Sequence, residues 1–322
     1  MSKPTDMRIL SVSFCYLPVE MRMPLKFGAE SVSSVNCLRV AVKVEGMDGR
    51  TAQGWGETPL SVTWAWPSAT MTYAARYEAM TDFCDQLARV WADLSTSGHP
   101  LEIGHAFVKE SMPAMLDEFN ASRSTEPMPE LAALIAASAF DLAAHDAFGM
   151  LHEMDTYDCY GSDFLSADLS HYLIPQDDSV SFVGKYPSDF LVSSPPQSLP
   201  VWHLVGGLDP LESADCTGME PDDGYPVTLR DWIERDGLKC LKIKLRGNDS
   251  AWDYDRLVAV GEMSLELGVT DLSADFNCTV TDPTYVNAIL DRLKSERREL
   301  FDLLLYVEQP FPYDLRANQI DV

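Results

Sequence analysis

Basic residues are scarce: Lys and Arg number 24 against 50 Asp and Glu, giving a formal net charge of −26 over 322 residues. Nucleic acid and anionic membrane both demand a basic surface, so neither is an expected partner. An acidic host proteome is the simplest source of the charge. No Cys-x-x-Cys pair occurs, and the seven cysteines are odd in number and scattered. That excludes a zinc knuckle and a disulfide framework, and it fits reduced thiols in a cytoplasm. The N-terminus lacks a signal-peptide pattern, and no apolar run reads as long enough to span a bilayer. No P-loop and no helix-opening Gly-x-Gly-x-x-Gly is present.

What the chain does have is ample length for two domains and 46% apolar residues. Residues 7–17, 34–45 and 50–57 read as strands, with Gly46-Met-Asp-Gly49 as a turn signal. Helical patterns follow at 70–94, 102–119 and 129–149. Strands followed by helices predict an α+β domain over residues 1–128. The helix at 129–149 and the Tyr-, Asp-, Ser- and Pro-rich stretch to 199 read as a link and an insertion, either a lid or a surface excursion. His145 and Asp146 read as helix-surface polar residues; His171 and Asp163 have no assignable role.

From Pro200 the pattern becomes strand, helix, strand. Residues 200–206 form a strand, with His203 read as a core histidine. A short helix covers 226–235, and Leu238 to Gly247 reads as the next strand. Lys242 and Lys244 share one face of it, and Leu241, Ile243 and Leu245 share the other. Asp249 or Ser250 caps a helix running to about Leu267. Asp271 to Asn277 places Asp275 and Asn277 on one face. Asp282-Pro283 starts a helix running to about Leu300. The apolar run from Leu303 ends in Glu308, as suits a strand buried on both faces. Lys244, Asp275 and Glu308 are each about one β/α unit apart, so they fall at the same end of successive strands. The predicted fold is an α+β domain followed, over 200–322, by successive strands of a partial TIM-type (β/α) barrel.

Lys-x-Lys, then Asp-x-Asn, then Val-Glu-Gln-Pro, in this order and spacing, resemble the enolase superfamily, in particular its mandelate racemase and muconate lactonizing branches. The resemblance implies abstraction of the α-proton of a carboxylate substrate through an enediolate, as in a racemase, epimerase or cycloisomerase. It implies Lys244 as base, with Lys242 on the substrate carboxylate and lowering the Lys244 pKa. Asp275 and Glu308 would bind Mg2+, and Asn277 would support the site. Removing such a proton creates a dianion, which a hard divalent cation stabilises; a second ammonium helps keep a lysine base neutral.

The same resemblance implies that the α+β domain is a capping domain and 200–322 the first half of the barrel, and that the loop Met21 to Glu30 covers substrate through Lys26 and Phe27, although this loop also reads as a plain hairpin connection. Gly54-Trp-Gly-Glu57 would be a second specificity loop. The third carboxylate ligand and the second acid or base expected of the family lie beyond Val322. Four parallel strands cannot close an eight-stranded barrel, so the chain reads as truncated after barrel strand four, with an open edge at 303–307. A homo-oligomer is expected. The alternatives are an acid-sugar dehydratase of the same superfamily, a truncated non-catalytic relative that binds carboxylates, and an unrelated α/β protein whose lysines hold an acidic ligand.

Overall fold

The computed structural model describes residues 3–27, 30–314 and 317–320; the side chains of residues 26, 27, 30 and 31 lie outside that description. The chain divides into two compact units. One comprises residues 1–19 and 35–195, the other residues 20–34 and 196–322.

A sheet ordered β1-β2-β3 has β1 at Met7–Phe27, β2 at Glu30–Gly46 and β3 at Thr51–Pro59; the first unit is built on it, except that the parts of β1 and β2 between residues 20 and 34 belong to the second unit. Strands β2 and β3 pair antiparallel, from Cys37 opposite Pro59 to Glu45 opposite Thr51. Both β1 and β2 run further than the alternation of apolar residues reaches. Met21–Phe27, expected as a loop, is therefore strand. In such a ribbon the backbone ladder does not require an apolar face at every step.

Four helices follow: α1 (Val62–Ala65), α2 (Tyr73–Ala92), α3 (Pro100–Ala106) and α4 (Met112–Ala121). Phe107–Ser111, between α3 and α4, is a π-helical turn. The Thr72 side chain caps α2 by accepting from the Ala75 N–H at 3.2 Å. Helix α5 spans Glu130–His152 and lies on β3.

Gly54 and Gly56 explain how closely α5 approaches β3. A Cβ at Gly54 would fall 2.0 Å from the Ala147 nitrogen, and one at Gly56 2.1 Å from the Ala139 oxygen. Ala139, Ala143 and Ala147 recur every four residues and form the facing ridge, all fully buried. Gly54-Trp-Gly-Glu57 is thus part of edge strand β3, packed under a helix, rather than a loop. α5 has 23 residues and contains an 18-residue stretch of mean hydropathy 1.4, so it is long and apolar enough to cross a membrane by length and composition, which corrects the expectation that no such run exists. Its apolar surface packs into the core of the first unit. Residues 153–195 contain only short 3-10 turns, and beyond Cys159 and Leu165 little of this stretch is buried.

The second unit contains a parallel sheet ordered β4-β5-β6-β7: Trp202–Val205, Cys240–Lys244, Asp271–Asp275 and Leu304–Glu308. Helices α6 (Leu229–Asp236), α7 (Ser250–Leu267), α8 (Pro283–Glu296) and α9 (Arg298–Leu303) supply the connections. Asp249, not Ser250, caps α7, accepting from the Trp252 N–H at 3.1 Å. The single helix expected from 283 to 300 is broken at Arg297, whose backbone leaves the helical region at φ −142°. Leu241, Ile243 and Ala274 on one sheet face are fully buried with Leu257, Val260, Val286 and Ile289 of α7 and α8. His203 shares that helix-covered face through its pairing with Leu241, and stacks near Trp232 with ring centroids 5.5 Å apart.

Candidate active site

The opposite face of the parallel sheet carries the polar residues. In register across it run Leu204, Lys242, Ser273 and Tyr306, then Lys244, Asp275 and Glu308. Lys244, Asp275 and Glu308 are each the last residue of their strand. A parallel ladder keeps paired side chains on one face, so the period-two pattern of three separate segments converges on one strand-end patch.

The side chains interlock. Lys244 Nζ donates to Asp275 Oδ2 at 2.5 Å and to Asn277 Oδ1 at 3.0 Å. Lys242 Nζ lies 3.1 Å from the same Asp275 oxygen and 2.6 Å from Glu308 Oε1. Two ammonium groups thus share one carboxylate oxygen, and Lys242 bridges both carboxylates. Asn277 sits beyond the end of β6 with φ 56°. Its backbone N–H donates to Asp275 Oδ1 at 2.7 Å, and its Nδ2 donates to the Leu245 carbonyl at 2.7 Å. One residue therefore ties the β5 end to the β6 end, holding Lys244 through its side chain and the Asp275 carboxylate through its backbone N–H.

Burial alone would push the Asp275 carboxyl up. The hydrogen bond and charge of Lys244, the Asn277 N–H and the charge of Lys242 outweigh it and hold Asp275 below the usual carboxylate range. Burial alone would pull Lys242 down, but Glu308 and Asp275 prevail, so it is held above the ordinary lysine value.

All five barrel residues singled out in the sequence come together: Lys242, Lys244, Asp275, Asn277 and Glu308. The side chains of Lys26 and Phe27 lie outside the described ones. His145 and Asp146 belong to the first unit, and both have structural partners. The His145 Nδ1 is 2.8 Å from the Tyr160 hydroxyl, and Asp146 accepts from the Trp55 N–H at 2.8 Å.

Sequence reasoning passed over three neighbours. Ser273 is fully buried between Lys242 and Tyr306, and its hydroxyl has no partner among the described residues. The alternation Ser273-Ala-Asp275 already placed it on the polar face. Cys278 and Gln309 are non-glycine residues with φ 58° and 29°, joined by the Cys278 N–H to Gln309 carbonyl bond at 3.1 Å. Nothing in the sequence signals these backbone conformations.

The described residues contain no group of three His, Cys, Asp or Glu placed to hold a metal. Asp275 and Glu308 do converge on a single cationic centre, the Lys242 ammonium, and both are hard oxygen donors. Magnesium typically takes one or two protein carboxylates and completes its shell with water and ligand oxygens. The pair fits that ion in donor type and number.

No protein-family model matches the chain, and no curated protein matches it. Solved structures do. A mandelate racemase/muconate lactonizing protein from Herpetosiphon aurantiacus matches with TM-score 0.54 and 18% identity, over 98% of this chain and 64% of its own. The fold is that of the mandelate racemase/muconate lactonizing proteins. The L-Ala-D/L-Glu epimerase from Bacillus subtilis matches with TM-score 0.57 and 16% identity, over 97% of this chain and 64% of its own. A dipeptide epimerase from Enterococcus faecalis, solved with Mg and the dipeptide L-Leu-L-Tyr, gives 0.53 and 15%, over 96% and 63%. The chain thus spans less than two thirds of the length of the structures it matches. The capping domain and partial barrel expected from the sequence are the architecture present.

Proposed function

We propose that the strand-end patch serves metal-assisted abstraction of the α-proton of a small carboxylate, as in a racemase, epimerase or cycloisomerase. The observation that carries this reading is the single Asp275 oxygen shared by Lys242 and Lys244, with Glu308 on the far side of Lys242. Asp275 and Glu308 would hold Mg2+, which when bound would supply positive charge for an enediolate.

Lys244 is the base in this reading. Asn277 and Asp275 fix its nitrogen, so its direction is set before substrate arrives. Lys242, kept charged, then receives the substrate carboxylate. The buried Ser273 hydroxyl offers one further hydrogen bond beside it. Magnesium in the Enterococcus faecalis structure supports the choice of ion. We also propose, from composition alone, a reducing cytoplasmic location.

A second reading has one observation in its favour: each lysine is already paired with a carboxylate, as in a non-catalytic carboxylate binder. Exchange of a substrate α-hydrogen in deuterated water, followed by NMR across a panel of dipeptides and N-acyl amino acids, separates the two. Catalysis predicts exchange that Lys244→Ala lowers by about 10²–10⁴-fold, together with calorimetric Mg2+ binding that Asp275→Ala removes. Binding without exchange favours the carboxylate binder, and Mg2+ binding unchanged in Asp275→Ala sinks the ligand assignment.

A further inference from the structure

The Lys242 ammonium lies against the two carboxylates read above as cation ligands. Its Nζ is 2.6 Å from Glu308 Oε1 and 3.1 Å from Asp275 Oδ2. Asp275 Oδ1 is already taken by the Asn277 N–H, so Oδ2 is the oxygen that faces the cationic centre. Neither Glu308 nor Lys242 has any other hydrogen bond or ion pair among the described residues.

Lys244 differs. It shares the Asp275 oxygen at 2.5 Å, but it also donates at 3.0 Å to Asn277 Oδ1, a neutral acceptor. Lys244 would stay held if Asp275 turned to another cation. Lys242 would lose every partner if Asp275 and Glu308 both did.

Charge and reach decide which group yields. The two lysines and two carboxylates form a balanced quartet. A divalent ion on those carboxylate oxygens and an ammonium on the same oxygens repel strongly, and the ion carries twice the charge. Asp275 is fixed by the Asn277 N–H and cannot follow the ammonium away. Lysine can move, because its charge rides on a flexible stem. The Lys242 side chain is 23% exposed, so a path towards water is open. A carboxylate substrate meets the converse difficulty: both ammonium groups of the patch are already committed to carboxylate.

We infer that Lys242 is an internal cation that reserves this site: its ammonium yields Asp275 and Glu308 to Mg2+, and only then is it free to receive the substrate carboxylate. The inference rests on the reading of Asp275 and Glu308 as cation ligands, and it sets an order, ion before substrate. Lys242 lowers the apparent affinity for the ion, since only molecules with the ammonium withdrawn are competent to bind it.

Calorimetric titration of the full chain with Mg2+ tests this. Lys242→Met keeps an unbranched side chain and drops the charge; it should bind Mg2+ about tenfold or more tightly than the wild type. Lys242→Arg should bind it more weakly, because a planar fork matches carboxylates better than an ammonium does. Lysine ammonium NMR reads the release directly. The Lys242 Nζ–H signal, assigned by its absence in the variants, should be sheltered from solvent exchange before Mg2+ is added and lost at saturation. Thermal midpoints are measured alongside, and should Lys242→Met unfold, the NMR signal of the wild type, assigned through Lys242→Arg, decides by itself. Two results would overturn the inference and leave the ligand assignment standing. One is Mg2+ binding that Asp275→Ala removes but that is no tighter in a folded Lys242→Met. The other is a Lys242 signal that persists in saturating Mg2+. No Mg2+ binding by either the wild type or a folded Lys242→Met, or binding unchanged in Asp275→Ala, would overturn both.

Discussion

At the scale of single residues, Asp275 is the hinge of the barrel site. It is buried, it accepts from Lys244 and from the Asn277 backbone, and Lys242 lies against the same oxygen. Removing one partner of a buried ion pair costs more than the pair contributes, because the remaining charge is stranded. Asp275→Asn leaves Lys242 on Glu308 but strands the Lys244 ammonium, and should lower unfolding stability by about 3–5 kcal/mol, measured by urea denaturation at neutral pH.

The sign of the pH dependence follows from the same contacts. The folded-state value of Asp275 lies below its ordinary 3.8, so its contribution is complete above that value. It is lost as pH falls through the depressed folded value. Lys242 is raised, so its contribution is complete below its ordinary 10.5 and is lost at higher pH. A wild-type acid-unfolding limb below pH ~4 that persists unchanged in Asp275→Asn would contradict the Asp275 assignment. These residues were legible in the sequence because a strand has period two and the β/α unit has a regular length. Ser273 was equally legible and passed over. Cys278 and Gln309 were not legible, because their left-handed backbone arises from the bond between two loops rather than from residue type.

At the scale of elements, the contact of β3 with α5 decides the first unit. Gly56→Ala places a methyl group against the Ala139 carbonyl and the Ala143 nitrogen, both backbone atoms that cannot turn aside. A loss of about 1–3 kcal/mol or more is expected from such overpacking, read as a lower midpoint in urea with the slope unchanged.

Helix α5 also carries a pH response. His145 is held at about 4 and His99, at the start of α3, at about 3, both chiefly by burial and, for His99, next by its neighbour His145. Their ordinary value is 6.5, so both are neutral in the fold while the unfolded chain takes up protons. Stability is therefore complete above pH 6.5 and falls as the pH drops towards 4. Asp141 acts in the opposite sense, since a carboxyl raised to about 6 is relieved by acid. Two imidazoles outweigh one carboxyl, and the net loss should be on the order of a few kcal/mol. His145→Gln should flatten the melting-temperature profile between pH 6.5 and 4; an unchanged profile would remove His145 from this account. The glycine pair in β3 is visible in the sequence, but its purpose is not, because a Gly-x-Gly fits a loop as readily as a helix pressed against a strand.

At the scale of the molecule, the second unit presents apolar residues on strand β7. Leu305 is 63% exposed and Tyr306 44% exposed, and β7 pairs only with β6 among the described residues. An apolar strand with one free edge is a surface other chains can join. Self-association is expected, with a sedimentation coefficient that rises with protein concentration. Leu305→Lys should suppress it, since a charge on an edge strand opposes pairing. Concentration-independent sedimentation of the wild type would remove this surface from consideration.

The sequence by itself determined the order of elements, the two lysines on one face and the carboxylates at the ends of the following strands. Each of these follows from local periodicity, which residues carry individually. Only the tertiary structure decided that Lys242 bridges Asp275 and Glu308, that Asn277 fastens two strand ends, and that the Met21–Phe27 segment is strand. It alone disclosed that α5 lays its membrane-like apolar surface on a glycine-lined strand. Those facts depend on distances between segments far apart in the chain, and no local pattern of side chains encodes such a distance.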